Sequence, residues 1–318
     1  MALRAGFHGT VGQPSAQVID GSLKFDSAND NNLRRTPGSA GNRRTWTWSA
    51  WVKKTSTGST YAMFGSGTDS TNLDAIDFNG EQLRYTRSTS GSFDDVKTNA
   101  LHRNPSGFYH VVCAVDTTIS SPSSDRVKLY VNGVYQNSLA AANYPSENED
   151  TFFNSTEPQV IGRRSAHQTN SFEGSMSQAY FIDGQALGPE EFGFTDPLTN
   201  TWRPKKYTGT FGTNGFWLPM DGNSPIGQDK SGNGNNFTPV NFGGSNSVDK
   251  ATGALPILEG AGGAVANIGV RTDANAANLT LAVPLVGNAN DLSNQINSGS
   301  TTKSATVSGN AAASSDQS

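Results

Sequence analysis

Three of the five tryptophans in the chain fall within six residues, in the segment RTWTWSAWVKKT (44–55). An indole can stack on a sugar ring, sit at a membrane edge or fill a β-sheet core. Strand alternation separates these uses. Trp46, Trp48, Ala50 and Val52 share one wholly apolar face, which must look into a core. Thr45, Thr47, Ser49, Trp51 and Lys53 share the other, so Trp51 is either covered by a neighbouring segment or exposed to stack on a saccharide. The basic residues Arg44, Lys53 and Lys54 frame the segment and argue against a membrane edge. Trp202 and Tyr207, in WRPKKYTGTFG, join Trp51 as candidate saccharide-binding residues.

The turn DKSGNG (229–234) offers oxygen donors at Asp229, Ser231 and Asn233, followed by Gly234. This is the spacing of the first half of an EF-hand calcium loop, but the twelfth position is Val240 where a bidentate Glu is needed. An Asx-type turn is the other job for the same residues. Asp69, Asp74 and Asp77 form a second acidic group that could line one rim loop, although Asp77 also fits the hairpin at Asn79-Gly80. Ca²⁺ is therefore the one cofactor these residues suggest.

Catalytic constellations are missing. Glu190-Glu191 is the only adjacent glutamate pair. Neighbouring strand positions face opposite ways, and a helical turn would leave both carboxylates in solvent. There is no Gly-x-Ser-x-Gly elbow, no His-x-x-x-His pair and no phosphate-cradling loop. His8, His102, His110 and His167 are scattered, and His110 alternates with Val112 and Ala114, which reads as a packed or hydrogen-bonded side chain. The single cysteine, Cys113, lies in the apolar run HVVCAVD, so a buried thiol is expected and a disulfide framework is excluded. The sequence predicts no enzyme.

These residues need a scaffold, and composition says which. The 318 residues are 34% hydrophobic and 16% charged, with 35 glycines and abundant Ser, Thr and Asn. Gly and Asn supply the positive φ angles of hairpins, so an all-β protein rich in turns is expected. Lys plus Arg number 23 against 27 Asp plus Glu, with no basic stripe, which excludes nucleic acid as an expected partner. The first residues lack the apolar core of a secretory signal, and no run approaches the ~18 apolar residues of a membrane span, so a soluble chain made in the cytoplasm is expected.

Short strand-like runs recur from SLKF (22–25) through RTWTWSAWVKK, YAMFG, LDAIDF, QLRYTR, FYHVVCAVD, RVKLYV, VYQNSL, PQVIGR and SMSQAYFID (175–183). Ten strands in one domain predict a sandwich. Asn79-Gly80 and Asn132-Gly133 each predict a tight hairpin. GPEEFG reads as a single turn. Four segments follow: an arm (1–20), the sandwich (21–200), an aromatic and Gly/Asn-rich appendage packed on it (201–246), and a core-poor tail, linker or start of a further module (247–318).

DRVKLYVNGVYQNSL (125–139) and FEGSMSQAYFIDGQALGPEEF (172–192) resemble the laminin-G and pentraxin-like jelly rolls of the concanavalin A-like lectin/glucanase superfamily. WTWSAWVKK, GFYHVVCAVD and DKSGNGNNF match further family strands and a family turn, in order. The resemblance implies an all-β jelly-roll sandwich with a binding surface, and Ca²⁺ at its rim in many relatives. The carboxylate motif Glu-x-Asp-x-x-Glu of the family's enzymes is absent.

The set SLKFDS, RTPGSAGNRRTWTWSAWVKK, WRPKKYTGTFGTNGF and DKSGNGNNFTP is similar to virion structural or tail-fibre proteins of marine tailed phages, cyanophages especially. That resemblance implies a place in the virion as a fibre, spike or head-surface decoration that adsorbs to host-surface glycan. It also implies assembly with other virion proteins through the arm and tail, and a homo-oligomer that is a trimer if fibrous. A purely architectural virion protein is the alternative.

Overall fold

The computed structural model describes residues 16–167, 170–222 and 224–242. Its strands are β1 (Leu23–Phe25), β2 (Asn32–Arg35), β3 (Thr45–Lys54), β4 (Thr60–Gly67), β5 (Leu73–Asn79), β6 (Gln82–Thr89), β7 (Ser92–Leu101), β8 (Tyr109–Asp116) and β9 (Val127–Val131). They continue as β10 (Val134–Tyr135), β11 (Leu139–Ala142), β12 (Gln159–Ile161), β13 (Gly174–Asp183), β14 (Gly193–Asp196), β15 (Thr201–Pro204), β16 (Phe216–Leu218) and β17 (Thr238–Val240).

Two antiparallel sheets pack face to face as a jelly-roll sandwich. One has seven strands, in the order β1-β13-β3-β8-β9-β10 with β16 also on β13; the other has eight, in the order β11-β7-β6-β5-β4-β12-β2-β17. The run VYQNSL, expected as one strand, is divided between β10 in the first sheet and β11 in the second, because the chain crosses from sheet to sheet there. GPEEFG makes a 3₁₀ turn at Pro189–Glu191.

Alternation on β3 sends Trp46 and Trp48 fully into the core. Trp48 stacks on Phe64 at 6.1 Å, Trp46 meets Phe153 edge-on at 4.9 Å, and Phe64 stacks on Phe153 at 4.6 Å. Burying such rings is worth several kcal/mol each, and truncating one to alanine costs about 3–5 kcal/mol. Cys113 is buried in the same core, which pushes its thiol well above the usual range.

Both Asn-Gly pairs make hairpins, in different ways. Asn132 and Gly133 both have positive φ between the paired Val131 and Val134, the two-residue turn that Asn-Gly favours. At the other hairpin Asn79 still pairs with Gln82, so the turn is Gly80-Glu81 and only the glycine has positive φ.

The residues after 200 are woven into both sheets. β16 pairs with β13, β17 extends the second sheet at β2, and β15 makes a separate hairpin with β14. Between them, residues 185–217 cover the outer face of the seven-stranded sheet, where Val112, Tyr180, Ile182, Phe192 and Tyr207 form a second apolar cluster. At the N-terminal side Gln17 donates its N–H to Pro204 O at 2.9 Å and its amide to Gln178 Oε1 at 2.9 Å. The rest of the arm and the tail (247–318) lie outside the described residues. Among the described residues no helix is long and apolar enough to cross a membrane.

Candidate ligand-binding site

The residues expected to stack on saccharide are distributed over the outer face of the seven-stranded sheet. Trp51 faces outward and is half-buried, paired across β3 and β8 with His110. Its ring lies on the imidazole, 5.0 Å between centroids and 29° between planes. His110 in turn stacks on Trp202 at 5.9 Å. Trp202 Nε1 donates to His110 Nδ1 at 3.0 Å, and His110 Nε2 lies 2.9 Å from Ser49 Oγ. An acceptor at Nδ1 fixes the neutral tautomer with its proton on Nε2, donated to the serine. Burial holds the His110 pKa down at about 3.

Trp202 is a wedge rather than a platform. A Cβ at Gly133 or at Gly193 would run into its ring, so two glycines form its slot, and its N–H is spent on His110. Trp51 is thus covered on one face by a histidine that Trp202 locks in place. Trp217, by contrast, stacks flat on Tyr180 at 5.7 Å. Tyr207 is a correction: at 4% exposure it stacks on Phe192 at 5.3 Å, and its hydroxyl donates to Thr210 O at 3.0 Å. It has no ring face left for a sugar.

Of the calcium candidates, the Asp229 and Asp69 carboxylates and the Ser231 hydroxyl already receive protein donors. Asp229 Oδ1 accepts from Trp217 N at 2.9 Å and Ser231 N at 2.8 Å, and Oδ2 accepts from Ser231 Oγ and Asn235 N, both at 2.8 Å. Asn233 turns its amide to Gly212 O and Gly215 O. The DKSGNG turn is therefore an Asx-type clamp that fastens β16 and the 211–217 loop.

Asp69 caps its own loop, accepting from Thr71 N at 2.7 Å and Asn72 N at 2.8 Å. The Asn72 side chain, then Thr71, hold its carboxyl well below the usual range. Asp74 points the opposite way from Asp77 on β5 and is wholly buried, accepting from Phe152 N and facing Arg87 at 3.5 Å. Burial, against the pull of Arg87, pushes its pKa up to about 6. The expected rim group of Asp69, Asp74 and Asp77 is thus dispersed, and among the described residues no three His, Cys, Asp or Glu side chains are placed to hold a metal.

The polar constellation that does form is on the outer face of the eight-stranded sheet. Register puts Val160, Gly65, Ala75, Thr86 and Asp95 in one row, with Ile161, Phe64, Ile76, Tyr85 and Val96 turned to the core beside them. The small side chains in the middle of the row make a low strip of the sheet, a trough whose floor residues Val160, Ala75 and Thr86 are 0% exposed. The backbone of Arg164 fills part of it, since a Cβ at Gly65 would strike Arg164 O. Arg84, one row along, makes a two-pronged bond to Asp77 at 2.9 and 2.8 Å and a third to Asp95 Oδ2 at 3.1 Å. Burial alone would lower its pKa, but the two carboxylates hold it above the usual range.

Beyond this network lie polar atoms that are covered and have no hydrogen-bond partner: Thr86 Oγ1, Asp95 Oδ1, and Arg164 Nε and Nη2. The Arg164 guanidinium sits 5.6 Å over the ring of Phe93, which is 50% exposed at the margin of the same face. These donors and acceptors lie covered, and the Phe93 ring beside them is the part of this face open to solvent.

Sequence reasoning missed this face. Its residues are the outward half of strands recognised by their inward half, and Arg164 arrives from a loop after β12. The usable signal was local: the hairpin at Gly80 sets Asp77 opposite Arg84.

Two antiparallel sheets with a covered outer face and a polar, aromatic-edged one define a laminin-G-like jelly-roll sandwich. The family model described as the concanavalin A-like lectin/glucanases superfamily matches residues 26–191, just over half the chain, and the chain belongs to that superfamily. Among solved structures it is similar to a heptameric SAP-like pentraxin from Limulus polyphemus, at 16% identity and TM-score 0.37, covering 53% of this chain and 75% of that one.

It is similar also to domain 4 of the extracellular arabinanase AbnA of Geobacillus stearothermophilus, in complex with arabinotriose, at 18% identity and TM-score 0.41, covering 56% and 79%. A third is the CBM40 of the Ruminococcus gnavus IT-sialidase bound to α2,3-sialyllactose, at 14% identity and TM-score 0.39, covering 54% and 93%. No curated protein sequence matches the chain.

Proposed function

We propose that this chain is a non-enzymatic, lectin-like module of a tailed-phage virion, a fibre, spike or head-surface decoration that adsorbs to host-surface saccharide. The observation that carries the binding reading is the set of unpaired polar atoms on Thr86, Asp95 and Arg164, beside the half-exposed ring of Phe93. A saccharide supplies both what those atoms lack and an apolar face for the ring. Membership of a lectin superfamily supports the same reading. The two carboxylates on this face, Asp77 and Asp95, both serve as partners of the Arg84 guanidinium. A glycosidase needs one carboxyl free to carry a proton, so this pairing favours binding without hydrolysis.

The virion assignment rests on the sequence resemblance to phage structural proteins. In this reading the arm and the tail carry contacts to other virion proteins, and several copies, three in a fibre, turn weak sites into avidity. The test is adsorption of the purified full chain to a polysaccharide panel and to intact host cells. Phe93→Ala is expected to weaken binding roughly two- to tenfold while leaving the fold intact, the usual worth of an aromatic contact. A clean negative across the panel and the cells would replace this reading with a purely architectural virion protein.

A further inference from the structure

We propose that Arg164 makes the trough on the eight-stranded sheet selective for saccharides that carry an anionic group, a carboxylate or a sulfate ester; this rests on the saccharide-binding reading above. The inference starts from a charge imbalance. Arg34, Arg84, Lys97 and Arg164 share the outer face with Asp77 and Asp95, four cations against two carboxylates. Arg84 takes both oxygens of Asp77 and one of Asp95. Arg164 is left without an ion-pair or hydrogen-bond partner among the described residues, although Nε and Nη2 are both covered.

A covered, unpaired guanidinium is costly unless a partner arrives. Burial lowers the Arg164 pKa, Asp77 opposes that and Arg84 adds to it. The planar fork of Arg matches a carboxylate or sulfate by two parallel hydrogen bonds, a geometry that a sugar hydroxyl cannot reproduce.

The position of this side chain is built into the fold. Gly65 lets the Arg164 backbone lie on the sheet, Arg163 is tied to Asp30 at 3.0 Å, and Gly162 N donates to Met63 O at 2.8 Å. Phe93 supports the guanidinium. The remaining unpaired atoms, Thr86 Oγ1 and Asp95 Oδ1, are left for neutral hydroxyls of the same ligand. The division of labour is that Thr86, Asp95 and Phe93 take the sugar and Arg164 takes its charge.

The experiment is calorimetric titration of the full chain with neutral dextran, dextran sulfate and polygalacturonate of matched length. The anionic polymers are expected to bind at least about tenfold more tightly than dextran, the scale of a charge-assisted hydrogen bond. Arg164→Gln should remove that preference, bringing the anionic polymers down to the affinity of dextran. Gly65→Ala should weaken the preference by lifting the loop, with no polar group removed. Arg103→Gln, an exposed arginine paired with Glu81 elsewhere, should change nothing, which separates the site from general polyanion adsorption.

Preference for only one of the two anionic polymers assigns the anion as sulfate or carboxylate and supports the proposal. Equal binding of all three polymers, or a preference that survives Arg164→Gln in a protein of unchanged melting temperature, overturns it while the saccharide reading stands. No binding to any of the three polymers overturns this proposal, while the saccharide reading is decided by the wider panel and the host cells.

Discussion

His110 shows how one side chain sets the use of its neighbours. It is 1% exposed, both ring nitrogens are engaged, and Trp51 and Trp202 lie against its two sides. Alternation alone placed Trp46 and Trp48 in the core and turned Trp51 outward, but it could not say what covers Trp51. That depends on a tryptophan about 150 positions away in sequence. The same burial gives a pH signature.

His110 and His102 are held neutral, down to about pH 3 and about pH 4, whereas the unfolded chain protonates them near 6.5. Their contribution is complete above that pH and is lost as pH falls. Asp74 acts in the opposite sense: with a folded pKa of about 6, its contribution is complete below about 4 and is lost as pH rises to 6. Two imidazoles outweigh one carboxyl, so urea-unfolding stability is expected to rise from pH 4 to 6. Asp74→Asn should steepen that slope and His110→Gln should flatten it. A stability that falls across this window would contradict these assignments.

At the scale of elements, turns and strands differ in how much of themselves they write into the sequence. The Asn132-Gly133 hairpin and the alternating strands β3, β8 and β9 were legible because each carries its own turn residues or an apolar face. β7, SFDDVKTNAL, was not legible. Only Val96 and Thr98 of its middle are buried, while Asp95 and Lys97 face outward, so its pattern is too polar to stand out. β2 and β17 are short strands at one end of their sheet and give no period at all.

The DKSGNG turn was legible as a motif, but the partners that its side chains take up were not, because Gly212, Gly215 and Trp217 reach it from other segments. Asp229 stitches Trp217, Ser231 and Asn235 together. Asp229→Ala should therefore cost about 2–4 kcal/mol in urea melts, the sum of several hydrogen bonds of about 0.5–1.5 kcal/mol each. Calcium or a chelator should leave the melting temperature unchanged. A calcium-dependent rise that disappears in Asp229→Ala would restore the metal reading.

Across the whole molecule, the two outer faces of the sandwich have different fates. The seven-stranded sheet is roofed by residues 185–217, and Tyr207, one of the aromatic candidates for binding, is part of that roof. The eight-stranded sheet keeps a polar trough, laid out by Gly65, Ala75 and Thr86 and edged by Phe93. A sequence announces a core through its inward residues, which is why a β-sandwich could be anticipated from the pattern, the jelly roll from the family resemblance, and the trough from neither. Small outward residues acquire meaning only when neighbouring strands align them.

The central claim is that ligand enters this trough and not the tryptophan side. Hydrogen exchange of the full chain with and without saturating dextran sulfate tests it directly. Protection is expected in β5 to β7 and in residues 162–167, with β3 and residues 201–207 unchanged. Protection centred on Trp51 and Trp202, with none along β6, would contradict the account.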